Sequence, residues 1–338
     1  MLHRVDRLVG VLLAVASWAL VSPPVHAEEV RTFEFTYACK ISDVTEGAKH
    51  VDLWMPVPSD CQGQTVGNVT IVRPSGGQIG VDPAYGNRIF HKRFDSPRTT
   101  DTALGAELVF RVKRREVIVD AAKSLAAVKF SQPNEELAVY LAPNSLIPVD
   151  GRVADIARRL ALQQNKPIAT AHTVYDYLLE TMTYNWRAKG AGRGDVLWAC
   201  DSRTGDCTDY HSTFIALCRA TGIPADHQFG FPLPTDRNEG KLFHFHCWAR
   251  FWAGEAGWIP VDISEVDKHP ELRQYNFGSL RVNQLKLSHG RDVTLVPPQK
   301  GPPINIFVFP YVEVDGRPHD GVKWTASFRD IADLEARR

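Results

Sequence analysis

The chain has 338 residues, 39 Lys plus Arg set against 39 Asp plus Glu, 44% hydrophobic and 23% charged residues. That length allows two ordinary domains with sizeable cores, and the composition is that of a soluble globular protein. Zero formal net charge argues against a dedicated nucleic-acid binder, which would carry a basic excess or stripe, and no run of five like charges suggests a tail.

The chain starts with a pattern of its own. His3, Arg4 and Arg7 precede an apolar stretch from Leu8 to Val21, followed by Ser22-Pro23-Pro24 and Val25-His26-Ala27. A basic segment, an apolar segment and a small-residue site form a secretory signal, so residues 1–27 are expected to be removed after Ala27. The apolar run is short for a bilayer span and Pro23-Pro24 ends it, so cleavage is preferred over retention as an anchor. The expectation is an exported protein, periplasmic or secreted, with no stable membrane insertion and in a compartment that permits disulfides. Of six cysteines, Cys39 and Cys61 are the only pair in the N-terminal third and are candidates for a disulfide, the alternative being two free thiols.

Residues 28–120 are expected to form a β-sandwich-like domain. Phe33, Phe35 and Tyr37 alternate with polar neighbours; Val51, Leu53 and Met55 alternate with Asp52 and Trp54. Val69–Val72, Arg88–Phe94 and Glu107–Val112 look similar, and turn clusters such as Pro74-Ser75-Gly76-Gly77 separate them. Residues 121–150 are mixed and proline-punctuated, as in a linker. A core over 151–292 begins with helical periodicity, Val153, Ile156, Ala157 and Leu160 on one face, then Val174, Leu178, Leu179 and Met182. The Gly-rich stretch Lys189–Asp195 lacks the ending of a phosphate loop and is expected at the surface. Residues 293–338 are expected to add strands, at 294–296, 304–309 and 323–328, packed on that core.

Three local features between Gly205 and Asp262 fit together chemically. Gly205-Asp206-Cys207-Thr208-Asp209 opens a helical run that stops at Gly222, with Pro224 beyond. Cys207 would sit at the helix N-terminus, where unpaired N–H groups and the macrodipole stabilise a thiolate. With Cys207 as reference, Tyr210, His211, Phe214, Ile215 and Cys218 share its face, expected against a sheet. A strand from Leu242 to Trp252 places Phe243, Phe245, Cys247, Ala249 and Phe251 on one side, and His244, His246, Trp248, Arg250 and Trp252 on the other. A third segment, Gly257–Ile263, places Ile259, Val261 and Ile263 opposite Trp258, Pro260 and Asp262 in parity. Matching the apolar faces of a hairpin puts Phe251 across from Gly257, Cys247 from Val261, and His246 from Asp262. Docking the helix on that sheet yields Cys207 as nucleophile, His246 as base and Asp262 as its orienting acid.

These residues also resemble a family. Gly205 to Asp209 with His211-Ser212, Arg219 to Ala225, His246-Cys247-Trp248 and Gly257 to Asp262 closely resemble the bacterial transglutaminase-like superfamily. The resemblance implies an α+β fold with a papain-like core, its cysteine helix packed on an antiparallel sheet, and Cys207, His246 and Asp262 in the triad positions. It also makes Trp198 a candidate oxyanion donor, as an upstream aromatic is in some members. One departure is Asp226, where the family often has Arg.

The remaining candidates are weighed against plainer roles. His211, one turn after Cys207, is a rival base without a carboxylate partner from patterning, so local packing or hydrogen bonding is preferred for it. His244 and Trp248 are possible cleft residues, and Trp248 and Trp258 are equally at home in a core. A zinc site of Cys207, His211, His244 and His246 lacks the usual ligand spacing, so neither metal nor cofactor is expected. The expected function is acyl transfer on peptide or carboxamide bonds through a thioester, as a protease or amidase if water resolves it and a transglutaminase if an amine does. The expected partner is a protein or peptide substrate, with no nucleic acid. The alternatives are a non-catalytic peptide-binding module that keeps the fold and a metal-dependent hydrolase.

Overall fold

Strict alternation shapes the first strand: in β1 (Val30–Ile41), Phe33, Phe35, Tyr37, Cys39 and Ile41 are buried while their neighbours are more exposed. The computed structural model describes residues 29–97, 104–119 and 134–332. The signal segment 1–27, residues 121–133 of the expected linker and the last six residues lie outside the described residues.

After β1 come β2 (His50–Val57), β3 (Gln64–Arg73), β4 (Gln78–Val81), β5 (Arg88–Asp95) and β6 (Gly105–Arg115). Helices follow: α1 (Gly151–Arg159), α2 (Pro167–Thr181), α3 (Val196–Ser202) and α4 (Cys207–Ala220). Then come β7 (Ala225–Pro232), β8 (Glu239–Leu242), β9 (His246–Trp252), β10 (Trp258–Val261), the short α5 (Ser264–Lys268), β11 (Gln284–His289), β12 (Tyr311–Val314) and β13 (Val322–Asp330).

Two five-stranded sheets make a sandwich. One has the order β8-β13-β1-β6-β3; the other has the short strand Arg317–Pro318 at its edge, then β12-β2-β5-β4. Phe33, Phe35, Val51, Leu53, Met55, Phe110, Val312 and Phe328 meet in one apolar core between them. β2 is buried on both faces: Trp54 on its outer face packs with Val293, Leu295 and Phe307, and its Nε1 donates to the Pro297 carbonyl at 2.9 Å.

That packing corrects two expectations. Residues 294–296 and 304–309 are not strands; Leu295, Ile304 and Phe307 cover the outer face of β2, stitched by the bridge between Val293 and Ile304, while Val308 joins the sandwich core. The C-terminal strands, expected as an extension on the 151–292 core, join the two sandwich sheets and not the core sheet. β12 pairs with β2, and β13 lies between β1 and β8, in register from Phe33–Asp330 to Ile41–Val322. The long apolar-alternating edge of β1 takes the complementary partner, because an unpaired edge strand of that length would leave its backbone groups open.

The expected Cys39–Cys61 bridge is also absent, both thiols being free. Cys39 points into the sandwich with its sulfur 3.7 Å from that of Met55, and Cys61 is half-buried in the turn before β3.

The core sheet has the antiparallel order β10-β9-β7-β11. α4 lies on one face of it, with α1, α2 and α3 packed against α4 from outside. Thirteen of the residues of α4 are buried, so the helix is enclosed on all sides rather than along one face as expected. β7 and β11 touch without a side chain between them at Gly230, where a Cβ would lie 1.7 Å from the Leu285 carbonyl oxygen. Phe231, Leu285 and Leu287 join the sandwich core, with the Phe231 ring 5.6 Å from Phe35 and 5.8 Å from Tyr37. The sandwich and the core sheet therefore share one continuous apolar interior.

Candidate active site

Asp206 caps α4: its side chain accepts from the Thr208 N–H at 2.7 Å, and Asp209 reaches back to the Asp206 N–H at 3.0 Å. Cys207 is thus the first helical residue, its own N–H among those with no intrahelical acceptor. Asp209 also accepts from the backbone N–H groups of Gly192 and Gly194, at 2.8 and 2.9 Å. The Gly-rich loop expected at the surface is therefore pinned on the first turn of α4. Burial pushes the Asp209 carboxyl up to about 6 against these hydrogen bonds. The wholly buried Arg291 holds the loop from behind, donating to Ser212 Oγ at 2.7 Å and to the Arg193 carbonyl at 3.0 Å.

His246 opens β9 and Asp262 follows β10. His246 Nε2 lies 2.8 Å from Asp262 Oδ2, both residues nearly fully buried. The register that brings them together is displaced by two residues from the expected one: Ala249 faces Val261 and Phe251 faces Ile259. The cause is the connection, in which Gly254–Ala256 forms a single 3-10 turn and Trp252 closes the ladder against Trp258. A displacement of two preserves which face each side chain occupies, so His246 and Asp262 meet as diagonal neighbours rather than as a direct pair. The strand itself is broken where one from Leu242 to Trp252 was expected: β8 ends at Leu242, and Phe243, expected on the apolar face, is 77% exposed.

With Nε2 turned to Asp262, Nδ1 is the His246 nitrogen left for the Cys207 sulfur. The Cys207 thiol is drawn down to about 6, first by a hydrogen bond from the Cys247 thiol and then by the His246 imidazole, against the cost of burial. Burial alone would lower the His246 pKa, but the Asp262 carboxylate and the Cys207 sulfur hold it well above its ordinary value. Asp262 stays below the usual carboxylate range because His246 outweighs its burial. The three groups favour a thiolate beside an imidazolium.

One participant had no sequence signal. Gln284, the first residue of β11, donates from Nε2 to Asp262 Oδ2 at 2.6 Å. Only the strand order of the sheet brings it there, and spacing along the chain does not reveal it.

His211 is placed differently from His246. Its Nδ1 faces the Cys207 carbonyl at 2.7 Å and its Nε2 accepts from the Ile263 N–H at 2.9 Å. Burial lowers its pKa to about 4, so it is neutral and ties the first turn of α4 to the end of β10. His244 lines the cleft; Trp248 does not, since it is 1% exposed beneath Val117 and Leu280 with its Nε1 donating to Gln228 Oε1 at 2.6 Å. Trp198 packs over Gly190 and is not part of the cleft wall. The cleft itself is about 230 Å³, lined by Cys207, His246, Asp262 and Gln284, with Tyr184 and Lys268 opposite; the Lys268 ammonium sits 4.5 Å over the Tyr184 ring.

The imagined zinc set of Cys207, His211, His244 and His246 is not a cluster. His211, His227 and Cys247 do place one potential ligand atom each within 4.8 Å of one another. Both His211 nitrogens are committed, however, and the Arg291 guanidinium lies 3.3 Å from His227 Nδ1, so the site opposes a cation. These residues do not fit a metal.

Residues 154–263 match the sequence profile of the transglutaminase-like superfamily. An uncharacterized protein of Haemophilus influenzae is 27% identical over 92% of this chain and 94% of its own length. Among solved structures, a protein of Cytophaga hutchinsonii provisionally described as a cysteine protease is similar at a TM-score of 0.59 and 12% identity, covering 91% of this chain and 94% of that one. The periplasmic domain of TgpA from Pseudomonas aeruginosa overlaps more loosely, at a TM-score of 0.36 and 16% identity over 72% of this chain and 91% of its own.

Proposed function

From its transglutaminase-like core, we propose that the chain is an exported, cysteine-dependent acyl-transfer enzyme acting on peptide or carboxamide bonds. The observation that carries this reading is the pairing of His246 Nε2 with Asp262 Oδ2 at 2.8 Å beside a thiol drawn down to about 6 at a helix N-terminus. Export rests on the signal pattern of residues 1–27.

The Cys207 thiolate attacks the carbonyl carbon, and the Cys207 N–H, free of any intrahelical acceptor, stabilises the oxyanion. The imidazolium gives its Nδ1 proton to the leaving amine or ammonia, and a thioester forms. His246 then takes a proton from water or from an amine, which attacks the thioester and frees the enzyme. Asp262 keeps the ring oriented throughout, with Gln284 fixing the carboxylate. The small cleft suits a side-chain carboxamide or one peptide group at a time.

The test is incubation with a glutamine peptide, with and without a primary amine, read by mass spectrometry. Water incorporation alone identifies a hydrolase, and amine incorporation a transglutaminase. No turnover, together with no acyl adduct on Cys207, contradicts the proposal and leaves a peptide-binding module.

A further inference from the structure

The face of the core sheet turned away from α4 carries more than the Cys207 partners. Along β9 it presents His246, Trp248, Arg250 and Trp252; along β10 and just past it, Trp258, Pro260 and Asp262; along β11, Gln284 and Lys286. His246, Asp262 and Gln284 line the catalytic cleft at one end. At the other end, Arg250, Trp252, Trp258 and Lys286 line a second cavity of about 660 Å³. Trp248, beneath Val117 and Leu280, lies between the two. At roughly 3.3 Å per residue, Arg250 is on the order of 13 Å along β9 from His246.

The second cavity has two chemical features. The first is aromatic: Tyr140 meets Trp258 edge-on at 5.0 Å, and Trp252 meets Trp258 at 5.7 Å. The second is cationic. Asp226 is fully buried, with Arg250 Nη2 at 2.8 Å and His289 Nδ1 at 2.9 Å, and the Arg250 guanidinium lies 4.3 Å over Trp258. Arg250 and His289 both bond Asp226 Oδ2, while Asp226 Oδ1 is buried without a hydrogen-bond partner and makes no ion pair with Lys286. Lys286 is only 3% exposed, yet its ammonium makes no hydrogen bond or ion pair among the described residues. Asp60 on the rim is exposed; its Oδ1 accepts from the Val66 N–H, and it forms no ion pair with Lys286.

A buried, unpartnered ammonium is costly to keep. Burial lowers its pKa, and an anion delivered into the cavity would restore the charge and supply the missing acceptor. Aromatic walls add the means to hold a flat body beside that anion.

We propose that this cavity is a ligand site, separate from the catalytic cleft, for a small organic acid whose carboxylate pairs with Lys286 and whose ring stacks among Tyr140, Trp252 and Trp258. The site does not need the Cys207 chemistry, so it stands or falls independently of the proposed enzyme activity.

Benzoate is the direct probe, titrated calorimetrically into the full chain. The site predicts saturable binding with a Kd of roughly 1 mM or tighter, unchanged in Cys207→Ala, and at least tenfold tighter than benzyl alcohol or inorganic phosphate. Lys286→Met should weaken benzoate at least tenfold, and Lys286→Arg should restore it. The half-buried Cys61 lines the same cavity, so benzoate should slow its alkylation by iodoacetamide in the unmodified protein, a readout that needs no variant. No saturable binding below about 50 mM, equal binding to Lys286→Met, or unprotected Cys61 would overturn the site. Phosphate binding as tightly as benzoate would remove the ring from the proposal.

Discussion

Two histidines border the first turn of α4, and their nitrogens are engaged differently. His211 uses one on the Cys207 carbonyl and the other on the Ile263 N–H, which leaves it no proton to exchange with a thiol. His246 uses only Nε2, on Asp262, and keeps Nδ1 for the sulfur. Asp262 therefore decides the ring's tautomer and charge, and Gln284 decides where that carboxylate points. Replacing Asp262 with Asn keeps the shape but favours the wrong tautomer. Turnover of the glutamine peptide should fall about 10²–10⁴-fold in kcat/KM, with the fold intact by circular dichroism. A change under about twofold would show that the pair does not serve the chemistry. Gln284→Ala should cost less, about tenfold, since water can replace one hydrogen bond.

At the scale of elements, the first turn of α4 and the loop before it form one unit. Asp209 holds Gly192 and Gly194 by their N–H groups, and Arg291 holds Ser212 and the Arg193 carbonyl. Gly194 has φ +63°, and a Cβ there would lie 2.4 Å from Ser212 Oγ and 2.6 Å from Arg291 Nη1. Gly194→Ala should therefore destabilise the protein by about 1–3 kcal/mol in denaturant unfolding; an unchanged midpoint would mean the clamp is slack.

The same scale shows why some of the site was legible in the sequence and some was not. The helix start at Cys207 carries its own capping residues, and strand parity fixes which face His246 and Asp262 occupy. Both are local properties. The exact pairing was not legible, because the 3-10 turn at Gly254–Ala256 moves the register by two without changing any face. Gln284 and the partners of the C-terminal strands were not legible either. They depend on which distant strand lies next to which: β11 beside β7, and β13 between β1 and β8. Phe243 was misplaced because a continuous strand was assumed where β8 pairs with the sandwich and β9 with the core sheet.

For the whole molecule, the shared interior around Phe35 and Phe231 means that the sandwich and the core sheet should unfold together. Buried neutral histidines then make that stability pH-dependent. His211 has a folded pKa near 4, against an ordinary value near 6.5 for the unfolded chain, and burial also holds His227 well below that ordinary value. Below pH 6.5 these two histidines bind protons in the unfolded chain that the folded one does not hold, so their contribution to stability rises with pH across that window, while Asp209, raised to about 6, contributes with the opposite sign between about pH 4 and 6. The contribution of His211 is fully present above about pH 6.5 and is lost as pH falls toward 4; it is on the order of 3 kcal/mol. The change in urea midpoint between pH 7 and pH 4.5 should be less destabilising in His211→Gln than in the unmodified protein, and the same change in both would contradict the assignment.

The thiolate–imidazolium pair is most directly tested by the pH dependence of Cys207 alkylation with iodoacetamide, followed by peptide mapping against the other five cysteines. Cys207 should react fastest at pH 7, with a midpoint near 6 that moves toward the ordinary thiol range in His246→Ala. A Cys207 that reacts no faster than its neighbours at pH 7, or that titrates near 8.5 with His246 in place, would contradict the account.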